Sequence, residues 1–231
     1  MLTQTDARIY LAGLRGQFQT GGFRSFRTFN FEEYNAVGRE PFGGLLAFND
    51  ETLLPECENT FGTDTACQVI LLPMIGAIEV TGAGREPEFA NSGEVLSLFL
   101  NPGETFRIGN PYAGEAVNYL QIRIRDERNI RAPYVNASFD LSVHNTLLPL
   151  PGIPGNPAHF FIGKYGGRQE GIFTSGAAGC SAFVFVIEGA FEVQDRLLEK
   201  HDGLALHHTR EIEFEALSND AIILFFSLTK I

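Results

Sequence analysis

Apolar and polar positions alternate with a period of two along most of the chain. Successive side chains on a strand point to opposite faces, so this period marks half-buried β-strands. The pattern predicts strands over 8–14, 44–48, 68–72, 77–81, 95–99, 105–108 and 117–124. It resumes over 159–165, 171–174, 181–187, 191–194, 203–207, 211–215 and 221–228. Between the two sets lies LLPLPGIPGNP, residues 147–157, whose four prolines exclude a continuous strand or helix because proline has no N–H to donate. Long helical periodicity is absent; one short helix is predicted over Phe31 to Ala36.

The two sets echo each other. Val69 to Val80, VILLPMIGAIEV, is similar to Phe183 to Val193, FVFVIEGAFEV: a buried strand, a Gly-Ala turn, an alternating strand. Ser92-Gly93-Glu94-Val95 and Asp202-Gly203-Leu204-Ala205 then each place a turn glycine before a further strand. This order is the cupin arrangement, in which two antiparallel sheets curl toward a small barrel and few strand edges stay open. The expected fold is all-β, with two tandem cupin barrels of the RmlC-like jelly-roll type, a bicupin. The expected boundaries are 1–145 for the first domain, 146–158 for a proline-rich linker and 159–231 for the second domain.

Composition narrows the function classes. The chain has 231 residues, enough for one large β domain or two small ones, and its 21 Phe against no Trp build the aromatic core. A formal charge of −11 leaves no global footprint for a phosphate backbone, so direct nucleic-acid binding is not expected. The local exception, Arg123, Arg125, Arg128 and Arg131 around Asp126 and Glu127, reads as a solvated strand end and turn. Three cysteines, Cys57, Cys67 and Cys180, make no disulfide framework. With no basic start followed by a long apolar stretch and no run near the length of a membrane span, the expectation is a soluble cytoplasmic monomer that does not engage membranes.

Phe26-Arg-Thr-Phe-Asn-Phe31, then Pro41-Phe-Gly-Gly-Leu-Leu-Ala-Phe-Asn-Asp50 and Leu54-Pro55, resemble the opening of the pirin family, which includes bacterial pirin-like quercetin 2,3-dioxygenases. Val117 to Ile124 resembles the strand that closes the family's first cupin, and Phe183 to Leu228 is similar to its C-terminal cupin. The resemblance implies an iron-type metal in the first cupin, held by an H-x-H pair before the first hairpin and an H-x-E pair on a later strand. Carried onto this sequence from Gly76, the first pair falls on Gly62 and Asp64; anchored on Phe61-Gly-Thr63, it falls on Asp64 and Ala66. The later pair falls on Phe106 and Ile108, which bind no metal and would fill the volume of the ion and its waters. All five histidines, His144, His159, His201, His207 and His208, lie outside the first barrel.

Other donors do not rebuild the site. Glu56, Glu58 and Asp64 read as a solvated rim, and His207 and His208, adjacent on a strand, would face opposite sides. Cys180 reads as a small residue at a strand start, and no nucleophile elbow or phosphate loop occurs. The expectation is a metal-free bicupin with no cofactor and no catalytic residue. Its role would be to bind a small apolar or aromatic ligand beside Phe106 and Ile108, or to act as a regulatory protein-interaction partner. The alternative from another class is a metal-dependent oxidoreductase of the quercetin 2,3-dioxygenase type. Both an open and a packed barrel interior remain compatible with the sequence.

Overall fold

The computed structural model describes residues 6–82, 84–128, 133–152, 158–175 and 180–228. The described residues form strands throughout, with one short 3-10 helix at Ala12–Leu14. In chain order the strands are β1 (Ala7–Tyr10), β2 (Gly16–Gln19), β3 (Phe23–Arg27), β4 (Leu45–Leu53), β5 (Glu58–Gly62), β6 (Cys67–Ile75) and β7 (Ala77–Gly82). They continue with β8 (Arg85–Asn91), β9 (Glu94–Leu100), β10 (Thr105–Gly109), β11 (Val117–Arg125), β12 (Val135–Ser138), β13 (Leu148–Leu150) and β14 (Ala158–Tyr165). The last are β15 (Glu170–Thr174), β16 (Ser181–Glu188), β17 (Phe191–Val193), β18 (Arg196–Leu198), β19 (Gly203–Leu206), β20 (Glu211–Ala216) and β21 (Ala221–Leu228).

By its contacts the chain divides into two units. The N-terminal unit comprises Gly16–Phe139 with Pro151–Asn156; the C-terminal unit comprises Met1–Arg15, Asp140–Leu150 and Pro157–Ile231. In the N-terminal unit a seven-stranded sheet, β12-β9-β6-β11-β4-β3-β2, faces a four-stranded sheet, β5-β10-β7-β8. The named pairings are antiparallel. Strand β10 shows why these residues make this layer: Thr105 and Arg107 turn outward while Phe106 and Ile108 turn into the core. Phe61, Ile78, Val80, Phe106 and Ile108 pack there with Val69, Leu71, Leu96, Leu98 and Tyr119 of the large sheet. Each fully buried side chain of this size contributes about 1.5–3 kcal/mol.

The C-terminal unit repeats the plan with a six-stranded sheet, β1-β19-β16-β21-β14-β13, and a four-stranded sheet, β15-β20-β17-β18. Its core joins Val184, Val186, Ile223 and Phe225 to Phe173, Phe191, Ile212 and Phe214. The echo in the sequence is therefore structural: at β6–β7 and again at β16–β17 the chain turns a corner from the large sheet of its unit to the small one. Gly76 and Gly189 both turn the chain at φ +76°, in the left-handed region that favours glycine. A Cβ at Gly76 would also lie 2.9 Å from a Val117 methyl.

Several expectations are corrected. Residues 31–36 form no helix: Phe31 and Tyr34 bridge each other, and Glu32 has φ +50°. Arg27 accounts for this by donating to the Phe31 carbonyl and to the Glu33 and Glu32 carboxylates, at 3.0, 2.9 and 2.7 Å, which draws the segment into a turn. The first predicted strand ends at Tyr10, and β1 pairs with β19, so this N-terminal stretch belongs to the C-terminal unit rather than to a domain 1–145. Part of the proline-rich stretch is also a strand: β13 carries Pro149 at the edge of its sheet, where a missing donor is tolerated. Residues 153–157 lie outside the described residues. Gly203 opens β19 instead of making a turn, and a Cβ there would lie 2.7 Å from the Phe183 ring.

Candidate functional site

The carried-over positions separate into two groups. Gly62 ends β5 on the surface, Asp64 is exposed in the turn that follows, and Ala66 is half-buried just before β6. Phe106 and Ile108 are buried in the core. The Phe106 ring stacks on Phe61 with centroids 5.4 Å apart, and Phe61 meets Phe23 edge-on at 5.9 Å. This interior is packed by side chains. Gly62, Ala66, Phe106 and Ile108 carry no side-chain donor, so the residues present do not fit an iron-type centre. Among the described residues, no three His, Cys, Asp or Glu side chains converge as a metal-holding group.

A different set of residues meets inside this unit. Strand alternation puts Asn49 and Glu51 of β4 and Tyr119, Gln121 and Arg123 of β11 on the face that carries Leu53 and Val117 into the core. All five are buried. The Glu51 carboxylate accepts from Gln121 Nε2 at 2.8 Å and from Asn49 Nδ2 and the Ser25 hydroxyl, each at 3.3 Å. Gln121 Oε1 accepts from Arg123 Nε at 2.9 Å, and Arg123 Nη1 donates to the Gly62 carbonyl at 2.7 Å. One amide thus links a buried acid to a buried guanidinium. The guanidinium carbon lies 4.7 Å from the Phe31 ring centroid and 5.8 Å from those of Phe61 and Phe106, within reach of cation–π attraction.

Burial dominates the acid–base character of the set. It pushes the Glu51 pKa from 4.5 up to about 7, against the hydrogen bond from Gln121, the neighbouring Tyr119 hydroxyl, the charge of Arg123 and the bond from Asn49. Burial, together with the negative Glu51, raises the Tyr119 phenol well above its ordinary value. The Tyr119 hydroxyl lies close enough to Glu51 to feel it, yet makes no hydrogen bond of good geometry. Burial lowers the Arg123 pKa, while Cys67, Glu51 and Glu32 act to raise it. Arg123 Nη2 and Asn49 Oδ1 have no hydrogen-bond partner.

Little in the sequence marks this set. The sequence pattern puts Arg123 on a solvated strand end, and nothing in it distinguishes Glu51. Arg123 instead faces inward, because β11 is buried on both faces from Tyr119 to Ile124. Of the other arginines in that run, Arg128 pairs with buried Asp126, and Arg131 lies outside the described residues. The available signal was polar residues two apart, Tyr119-Leu-Gln121-Ile-Arg123, with apolar residues filling the alternate face.

Elsewhere, the thiols of Cys57, Cys67 and Cys180 are free. His207 and His208 lie in the turn after β19, not on it, with ring centroids 6.2 Å apart. His201, expected in an exposed turn, is half-buried and stacks on Phe185 at 6.1 Å. A groove of about 510 Å³ lies on the small sheet of the C-terminal unit, lined by Glu170, Glu192, Glu213 and Glu215 with Ile172. No helix among the described residues is long and apolar enough to cross a membrane.

Known proteins place this geometry. Residues 159–228 match the family described as the quercetinase C-terminal cupin domain. The chain is similar in structure to YhhW from Escherichia coli, with a TM-score of 0.86 and 19% identity over 98% of this chain and 99% of that one. A second structure of that protein, described as bacterial pirin YhhW in complex with nickel(II), gives 0.85 and 19% over 98% of this chain and 100% of that one. Quercetin 2,3-dioxygenase from Acinetobacter baumannii is similar with a TM-score of 0.71 and 15% identity over 96% and 86% of the two chains. No curated protein matches by sequence. The resemblance read from the sequence is thereby borne out: the chain shares the two-cupin fold of these proteins, and its residues 159–228 match the quercetinase C-terminal cupin domain.

Proposed function

We propose that this bicupin works without a metal, as a non-catalytic binding or regulatory protein. The observation that carries the reading is the stacked pair Phe61 and Phe106, with Ile108, packed where the carried-over ligand positions would need nitrogen and oxygen donors. The absence of histidine from the N-terminal unit supports it, since imidazole is the donor the implied site requires three times over. The same packing favours a protein partner over a small apolar ligand inside the first barrel. Three free thiols suit a reducing compartment, so a cytoplasmic location goes with this reading.

The alternative is quercetin 2,3-dioxygenase-like chemistry. It is favoured by the family match over 159–228, by the likeness to the Acinetobacter enzyme and by the nickel complex of YhhW. The test is turnover of quercetin under O₂ with Fe²⁺, Mn²⁺, Cu²⁺, Ni²⁺ or Co²⁺ supplied, alongside thermal shift with flavonols. The expected result is no turnover with any metal. Metal-dependent turnover would overturn the reading, and a flavonol-induced shift without turnover would move it from a protein partner to a small ligand. Phe106→His combined with Ile108→Glu is expected to leave metal binding absent, because Gly62, Asp64 and Ala66 still supply no imidazole.

A further inference from the structure

We propose that the Glu51–Gln121–Arg123 relay is a proton-responsive charge device standing where the family resemblance would put a metal. In it, Arg123 is a built-in cation and one proton on Glu51 decides whether that cation is balanced. The inference rests on the metal-free reading and deepens it. Two of the positions carried over as metal ligands, Gly62 and Phe106, converge on the Arg123 guanidinium: the Gly62 carbonyl accepts from Nη1 at 2.7 Å, and the Phe106 ring centroid is 5.8 Å from its carbon. A guanidinium keeps its charge at every physiological pH, so the positive charge here is covalent and permanent. A divalent ion entering the same volume would meet both that charge and the aromatic packing around it.

The second half of the device is the acid. Glu51 has no contact with water, and Arg123 is the cation that acts on it, through the Gln121 amide. Both protonation states find partners in the surrounding geometry. The carboxylate accepts from Gln121, Asn49 and Ser25. For the neutral acid the buried Tyr119 hydroxyl, which lies close to Glu51, is an acceptor. The other ionisable groups around the relay are few. Cys67 of β6 and Glu32 of the turn after β3 act on Arg123. Arg27 of β3 lies on the inward face beside Ser25, with its charge held by Glu32 and Glu33. The small sheet contributes Phe61, Phe106 and Ile108, which do not titrate. The relay therefore carries a net positive charge when Glu51 is protonated and none when it is ionised, with the change centred near neutral pH.

The test is a ¹³C-carboxyl NMR titration of the full chain, with the Glu51 resonance identified by its loss in Glu51→Gln. That resonance is expected to titrate near pH 7 and to move up by about one unit or more in Arg123→Met, which removes the balancing cation. A wild-type midpoint below about 5.5 would overturn the device, because the acid would then be ionised throughout the physiological range. An unmoved midpoint in a folded Arg123→Met would also overturn it, by showing that the two groups are not coupled. If Arg123→Met does not fold, the wild-type midpoint still decides. Metal-dependent quercetin turnover would sink the metal-free reading while leaving this titration as it stands, so the two failures are distinguishable.

Discussion

The same strand triplet occurs in both units, and its inner face differs in kind between them. In the N-terminal unit, β11 lies between β4 and β6, and its inward residues are Val117, Tyr119, Gln121 and Arg123. In the C-terminal unit, β21 lies between β14 and β16, with Ala221, Ile223, Phe225 and Ser227 in the matching places. Glu51 opposite Tyr119 corresponds to Gly163 opposite Ile223. Where the C-terminal unit stacks Phe225 on Phe173 at 4.7 Å, the N-terminal unit runs a hydrogen-bonded acid–amide–guanidinium chain. A jelly-roll interior can thus be closed by aromatic packing alone or by aromatic rings around a hydrogen-bonded charge. The first costs nothing in desolvation; the second is sensitive to pH and to the loss of any one partner.

The largest effects should come from truncating the centre of each interior. Phe225→Ala is expected to destabilise by about 3–5 kcal/mol through the cavity it leaves, equally at pH 5 and pH 8. Arg123→Ala should cost a similar amount, about 3–5 kcal/mol at pH 8, and less at pH 5, where Glu51 is neutral and needs no counter-charge. Chemical denaturation at the two pH values checks both; an Arg123→Ala cost that does not change with pH would break the comparison.

Next in size is the linkage carried by Glu51 itself. Its folded pKa, about 7, lies above its ordinary value of 4.5, so the folded state holds the proton more tightly. That contribution favours folding below pH 4.5 and is lost as the pH rises toward 7 and beyond. Relative to wild type, Glu51→Gln should gain stability between pH 4.5 and pH 8, by up to about 3 kcal/mol at the rate of about 1.4 kcal/mol per pKa unit. Equal pH–stability curves for the two proteins would refute this.

The smallest effects belong to the outer faces of the two small sheets. On the N-terminal one, Arg107 of β10 bonds Glu58 of β5 and Thr81 of β7. On the C-terminal one, Glu170, Glu215 and Glu192 stand abreast on three neighbouring strands. Glu215 is also paired with Arg168 at 3.2 Å, whereas Glu192 faces it as a like charge. Like charges directly opposite each other are destabilising, so Glu192→Lys should stabilise by roughly 0.5 kcal/mol at low salt, an effect that added salt should erase. Arg107→Ala should cost less than about 0.5 kcal/mol, as exposed pairs do. Thermal midpoints at two ionic strengths would separate these signs.

The fold was legible because its signals are local. Alternation in Thr105-Phe-Arg-Ile108 and a turn glycine after each buried strand are enough to place β10 and the two corners at Gly76 and Gly189. Strands with charged or broken alternation were missed. β3 reads FRSFR, and β8 carries Pro87 among charges, which suits an edge strand. The carried-over positions showed what the first barrel lacks, namely donors at Phe106 and Ile108. They could not show what replaced them. Whether Arg123 points to water or inward depends on whether its strand is covered on both faces, and that is decided by residues far away in sequence, such as Gly62 and Phe31.

On the proposed reading, Phe61, Phe106 and the Arg123 relay hold the first barrel together in place of a metal ion. The most direct test is elemental analysis of the intact chain after equilibration with Ni²⁺ or Fe²⁺ and removal of free ion by gel filtration. The account predicts far less than one bound metal per chain, the same in wild type and in Asp64→Ala. One tightly held metal per chain, lost on Asp64→Ala, would contradict it.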